Sequence, residues 1–226
     1  MTIRLFQRRS IWWPTLIGWA GIFIALGIPF FIWCFQGESF LSRTQRLPTD
    51  ILVVEGWIGI EGIKAAKAEF EQGGYRYIVA TGGMSGNRWD TRQWSLATEA
   101  EELLLRLGLS RDQVLLAKPQ EVQSHRTFAS ATAVWRTLQA RGIQTKSINL
   151  FTLGAHARRS RLVYAKVQTS GTEVGVISWT PPGYLSGPWW ESSDRALDLL
   201  KETVGFLFEL LLNSGRPSNT PAQPTS

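Results

Sequence analysis

No charged residue occurs between Ile11 and Phe35, and a run of that length places part of the chain in lipid before anything else is known about it. A helix over the run, at ~1.5 Å rise per residue, reaches about 37 Å, which exceeds the ~30 Å hydrocarbon core. Arg4, Arg8 and Arg9 precede the run, and Trp12, Trp13 and Trp33 sit near its ends, where interfacial aromatics belong. The positive flank puts residues 1–10 in the cytoplasm and the rest of the chain outside, although Arg43 and Arg46 on the far flank dilute the bias. No small-x-small site follows the run, so the expected segment over residues 11–35 is an uncleaved anchor in an inner (plasma) membrane. Cys34 follows the bulky Phe31, Ile32 and Trp33, where a lipobox needs small residues, and reads as a membrane-buried side chain.

The 226 residues leave room for one domain beyond the anchor. One Cys and two His exclude a disulfide framework, a Cys/His zinc site and an iron–sulfur cluster, so no metal site is expected. Of the net charge of +6, three charges come from the arginines ahead of the anchor, which leaves the outer part at +3. With no basic run interleaved with aromatics, a nucleic-acid partner is not expected.

Residues 36–49 read as a polar stalk and residues 214–226, rich in Pro, Ser and Thr, as a disordered tail. Between them, over 50–213, short apolar bursts alternate with helical periods. The pairs are 51–55 with 59–72, 77–80 with 95–107, 114–117 with 124–141, 148–152 with 155–167, and 174–178 with 192–213. Continuous apolar strands separated by amphipathic helices predict a Rossmann-like, three-layer α/β domain with a mostly parallel sheet. Stripes such as Ile63, Ala66 and Phe70, or Ala131, Val134 and Leu138, predict the helix faces that cover it. The last helix departs from this pattern. From Val204 to Leu212 it is apolar nearly all round except for Gly205 and Glu209, which leaves two readings, packing in the sheet's flank or touching the membrane, and it is too short for a second span.

Ligand crevices in open α/β sheets lie outside the carboxyl ends of the strands, which makes the strand-end residues the candidates. Thr81, Gly82 and Gly83 form a turn where backbone N–H groups can approach an anion, or simply a strand-to-loop turn. His156, Arg159 and Ser160 share a helical face after a strand, and with Arg158 they suit phosphate or carboxylate binding; a solvated basic face is the competing reading. Arg126 and Thr127, beside His125, open another helix after a strand. Glu55 and Glu99 are the acid/base candidates, with His156 as the third catalytic candidate; for Glu99 the alternative is an acid favoured by the helix dipole. Trp190 lies in the rigid aromatic loop from Pro181 to Ser193, a ligand-stacking wall or a membrane-facing collar. Gly56, Gly59 and Gly62 have the wrong interval for a dinucleotide fingerprint, and Gly83-Met84-Ser85-Gly86 is not a nucleophile elbow.

The ordered set Val53-Val54-Glu55-Gly56-Trp57, Thr81-Gly82-Gly83, Thr98-Glu99-Ala100, His125 to Ala131 and His156-Ala157-Arg158-Arg159-Ser160 resembles the YdcF-like family of envelope proteins, the SanA/ElyC type. The resemblance covers about residues 50–178, and Trp189 to Ser193 is similar to a feature of one branch. It implies a Rossmann-like domain behind one membrane helix and a role in envelope integrity and peptidoglycan precursor metabolism. Many members carry Gly at the position of Glu55 and Ser at that of Thr81. One member binds S-adenosylmethionine, which an outward-facing domain does not meet, so no cofactor is assigned. The expected function is binding of a phosphate-bearing envelope ligand such as a lipid-linked sugar or peptidoglycan precursor, with processing of that ligand left open. The alternative is a non-catalytic membrane scaffold that holds its partner through the aromatic loop and the last helix.

Overall fold

The structure is a computed structural model that describes residues 14–85, 94–120, 125–168, 171–185 and 187–212. The flanking groups Arg4, Arg8, Arg9, Trp12 and Trp13, with Ser124 and the tail 214–226, lie outside the described residues. The chain divides into two units after Gly37. In the first, helix α1 (Leu16–Leu41) is the one helix among the described residues long and apolar enough to cross a membrane, with a mean hydropathy of 2.1 over its best window. Its large side chains, Leu16, Phe23 and Phe30 among them, are exposed.

Helix α1 runs past Phe35, and its last turn belongs to the second unit, where Leu41 is fully buried. The segment expected as a stalk is therefore folded onto the α/β domain, because its polar groups find fixed partners there. Gln45 exchanges both backbone hydrogen bonds with Val176, at 2.7 and 2.8 Å. The Asn149 amide accepts from Leu47 N–H at 2.9 Å and donates to the Leu47 carbonyl at 2.8 Å. Arg46 donates to both carboxylate oxygens of Glu69.

Five parallel strands make the sheet: β1 (Ile51–Glu55), β2 (Tyr77–Thr81), β5 (Val114–Ala117), β6 (Ser147–Leu153) and β7 (Glu173–Trp179). A two-stranded antiparallel ribbon, β3 (Met84–Ser85) with β4 (Trp94–Ser95), comes after β2. The helices are α2 (Gly59–Gln72), α3 (Leu96–Arg106), α4 (Arg126–Ala140), α5 (His156–Val167) and α6 (Ser193–Leu212). The strand order is β5-β2-β1-β6-β7, the Rossmann-like α/β architecture expected from the alternating pattern.

Successive side chains of a strand point to opposite faces, and in β1 both faces are covered. Ile51 and Val53 join one core with Val79, Leu150, Val134 and Tyr164, under α4 and α5. Leu52 and Val54 join the other with Ile78, Ala80, Ile63, Phe70 and Leu104, under α2 and α3. An alternating polar strand would have left one of these layers uncovered. Helix α6 packs on α5.

Candidate functional site

Chain order reverses between β1 and β6, so their connections diverge in opposite directions and leave a crevice at their carboxyl ends. β1 ends in Glu55 and the loop after β6 leads straight to His156, the first residue of α5. Both border a cavity of about 870 Å³, together with Trp57, Gly83, the first turn of α4 at Arg126 and Thr127, and Arg159. Its other side is α6, through Leu197, Leu200, Lys201, Val204 and Phe208.

Glu55 is buried, and the structure supplies the donors that a desolvated carboxylate requires. The Thr152 hydroxyl donates to its Oε2 at 2.5 Å, the Trp57 indole N–H to the same oxygen at 3.2 Å, and the Ser160 hydroxyl to Oε1 at 3.4 Å. Gly56 makes the turn that brings Trp57 round, since a Cβ there would stand 2.2 Å from the Leu96 carbonyl oxygen of α3. Trp57 then meets the His156 ring edge-on, with centroids 4.9 Å apart. The hydroxyl of Tyr164, buried with no hydrogen-bond partner among the described residues, is pushed well above its ordinary pKa by burial and by the charge of Glu55.

His156 lies between two buried carboxylates. Its Nε2 is 3.6 Å from Glu55 Oε2, and its Nδ1 is 3.0 Å from Glu202 Oε1. At 3.6 Å the Glu55 contact is electrostatic rather than a hydrogen bond, and Nδ1 makes the ring's close contacts: protonated it donates to Glu202, and bare it accepts the Arg159 Nη2–H found at 2.9 Å. Arg159 also donates to both Glu202 oxygens, at 2.6 and 3.0 Å. Burial alone would raise the pKa of Glu202, but hydrogen bonds from His156 and Arg159 outweigh it and hold the carboxyl well below the ordinary range. Burial works against the Arg159 charge too, and its pairing with Glu202 raises its pKa nonetheless. Gly205 makes room for this guanidinium, since a Cβ there would fall 2.7 Å from Arg159 Cδ.

Of the residues singled out in the sequence, Glu55, Gly83, Arg126, Thr127, His156 and Arg159 come together around the cavity. His125 borders it too, whereas Thr81, Gly82, Glu99, Arg158 and Trp190 do not. Thr81 is buried and spends its hydroxyl on the Ala117 carbonyl at 2.9 Å. The carbonyls of Gly82 and Gly83 accept N–H groups from Ala97 and Leu96, so the glycine turn holds the start of α3. Glu99 is exposed on α3, where the opposite face of that helix carries its core residues Ala100 and Leu104. Arg158 turns to Phe40, donating to its carbonyl at 2.8 Å with the guanidinium 3.7 Å from the ring centroid. Trp190 stacks edge-on against Trp189. Among the described residues no cluster of three or more His, Cys, Asp or Glu could hold a metal ion.

Sequence reasoning missed Glu202. Its signal was present, because on α6 it stands opposite the apolar stripe, but a charged residue on an apolar helix reads as the solvated side until burial is known. Comparison with protein-family models, with curated proteins and with solved structures gives no match for this chain.

Proposed function

We propose that the chain is a membrane-anchored, envelope protein of the YdcF-like kind, with its N-terminus in the cytoplasm and its α/β domain outside. In this reading the domain binds and processes a phosphate-bearing ligand such as a lipid-linked sugar or peptidoglycan precursor. The observation that carries it is the composition of the cavity at the β1/β6 crevice: cationic and helix-N-terminal groups at the strand ends, facing apolar side chains of α6. Because Glu202 takes up the charge of Arg159, the anion falls to Arg126, Lys201 and the first turn of α4. His156, backed by Glu55, is the group that moves a proton, and the aliphatic side of the cavity suits a prenyl or acyl chain.

The test is thermal shift and native mass spectrometry of the full chain in detergent against phosphate-bearing lipid-linked sugars, nucleotides and inorganic phosphate. Stabilisation by the lipid-linked compounds, reduced in Arg126→Ala and in His156→Ala, is expected. No shift with any phosphate compound refutes ligand binding, and a C-terminal reporter found in the cytoplasm refutes the outward orientation.

A further inference from the structure

Helix α6 is amphipathic in the wrong sense for a domain in water. At about 100° per residue, Leu197, Leu200, Val204, Leu207 and Leu211 fall within one stripe about 80° wide, and Arg195, Glu202 and Glu209 fall on the opposite side. The charged set is the buried one, at 5, 3 and 6% exposure, while the apolar set is 66, 58, 67, 48 and 74% exposed. The charged residues are held by Glu38, by His156 with Arg159, and by Lys166, so the helix cannot rotate to exchange its faces.

Two further observations say what covers the apolar stripe. The last turn of α1, the helix able to cross a membrane, is fixed to α6 itself: Phe40 packs edge-on against Phe206 at 5.7 Å, and Arg195 donates to both oxygens of Glu38. The membrane-entering chain therefore leaves the domain beside α6. Next to that point Arg158, which donates to the Phe40 carbonyl, feels the charges of both Arg43 and Arg161, with Arg43 exposed, a charge that anionic headgroups complement.

We propose that the outward face of α6 is seated in the interface of a phospholipid bilayer, its leucines among the acyl chains. The occupant is the bilayer rather than a second copy of the chain, since residues 38–41, the end of the membrane-crossing helix, are held along the other side of α6 through Arg195 and Phe206, with the arginine cluster beside Phe40. Leu197, Leu200 and Val204 belong both to this stripe and to the lining of the cavity, so seating turns that side of the cavity toward lipid, and a ligand with an apolar chain enters without crossing water.

The test uses the full chain in vesicles of phosphatidylethanolamine and phosphatidylglycerol. Single cysteines at Leu207→Cys, Leu211→Cys and, as an exposed control on α3, Arg106→Cys are introduced in a Cys34→Ser background and carry an environment-sensitive fluorophore. Acyl-chain nitroxide lipids are expected to quench the 207 and 211 labels several-fold more than the 106 label, and iodide in the buffer is expected to show the reverse order. Equal iodide quenching at all three positions with no lipid quenching overturns the proposal. So does protection at 207 without lipid quenching that comes with disulfide cross-linking of two chains, which gives the face to a second copy. Unfolding temperatures of the labelled variants equal to that of the parent confirm that the fold is intact in each.

Discussion

Replacing Glu202 by Gln tests whether the corner between α5 and α6 is held by charge or merely by shape. The side chain is 4% exposed and that of Arg159, its partner, 18%, so neither charge has water to fall back on. Removing one member of a buried pair costs about 3–5 kcal/mol, because the other is left desolvated without its counter-charge. The amide oxygen of Gln keeps one acceptor for Arg159 Nε, which puts this variant near the lower figure, about 3 kcal/mol. For a domain of this size each kcal/mol moves the unfolding temperature by about 2–4 °C, so a fall of about 6–12 °C is expected. The assay is thermal unfolding of the full chain in detergent, followed by tryptophan fluorescence. Arg159→Met alone should cost a comparable amount, and Glu202→Leu with Arg159→Met together much less than the sum, because an apolar pair leaves no charge stranded. The pH profile supplies a second reading. The folded carboxyl sits below its ordinary value of 4.5, so the unfolded chain takes up the proton first. This contribution to stability is fully present above pH 4.5 and is lost as the pH falls toward the folded value; Glu202→Gln lacks that part of the acid limb. A shift of less than about 2 °C in Glu202→Gln, or strict additivity in the double variant, would refute the reasoning.

Gly56→Ala should be among the most damaging single-methyl additions, at or above the ~3 kcal/mol end of overpacking, because its Cβ meets the carbonyl of Leu96 and that backbone cannot swing aside. Gly83→Ala, where nothing lies within 4 Å, is the control and should leave the unfolding temperature nearly unchanged. Tyr184 should ionise late. Burial first, then the charge and hydrogen bond of Asp198, push its phenol up to about 12. The difference in alkaline phenolate absorbance between the wild type and Tyr184→Phe reports this directly, and Asp198→Asn should bring the transition down.

The sheet was legible in the sequence because its strands are buried on both faces. Ile51-Leu52-Val53-Val54 has no polar alternation to obscure it, and the helices between strands carry one apolar stripe each. The placement of Glu55 at a strand end, and of Arg126 and His156 at the starts of helices that follow strands, was legible for the same reason, since a parallel sheet gathers both kinds of position at its carboxyl edge. What each polar group does there was less legible. Thr81 is at a strand end as expected, yet its hydroxyl is consumed by Ala117 on the neighbouring strand, a contact that depends on the register of β2 against β5. Arg158 and Arg159 are adjacent in the chain and part by about 100°, one to Phe40 and the other to Glu202. Helix α6 was least legible: from Val204 to Leu212 it reads as apolar nearly all round, and only burial shows Glu202 and Glu209 turned inward and the leucines outward.

The carboxylate that orients His156 comes from the last helix described, 43 residues after Arg159. During synthesis β1, β6 and α5 all exist before Glu202 does, and at that stage the guanidinium of Arg159 has no carboxylate from α6 to close over it. A charge of that kind stays hydrated until its partner arrives. The nascent domain thus keeps one wet corner, and assembly of the strand-end cluster is a late step, timed by the docking of α6. A chain halted before this helix would lack both the α6 side of the cavity and the carboxylate on His156 Nδ1, so the site depends on a helix far along the chain from its strand ends.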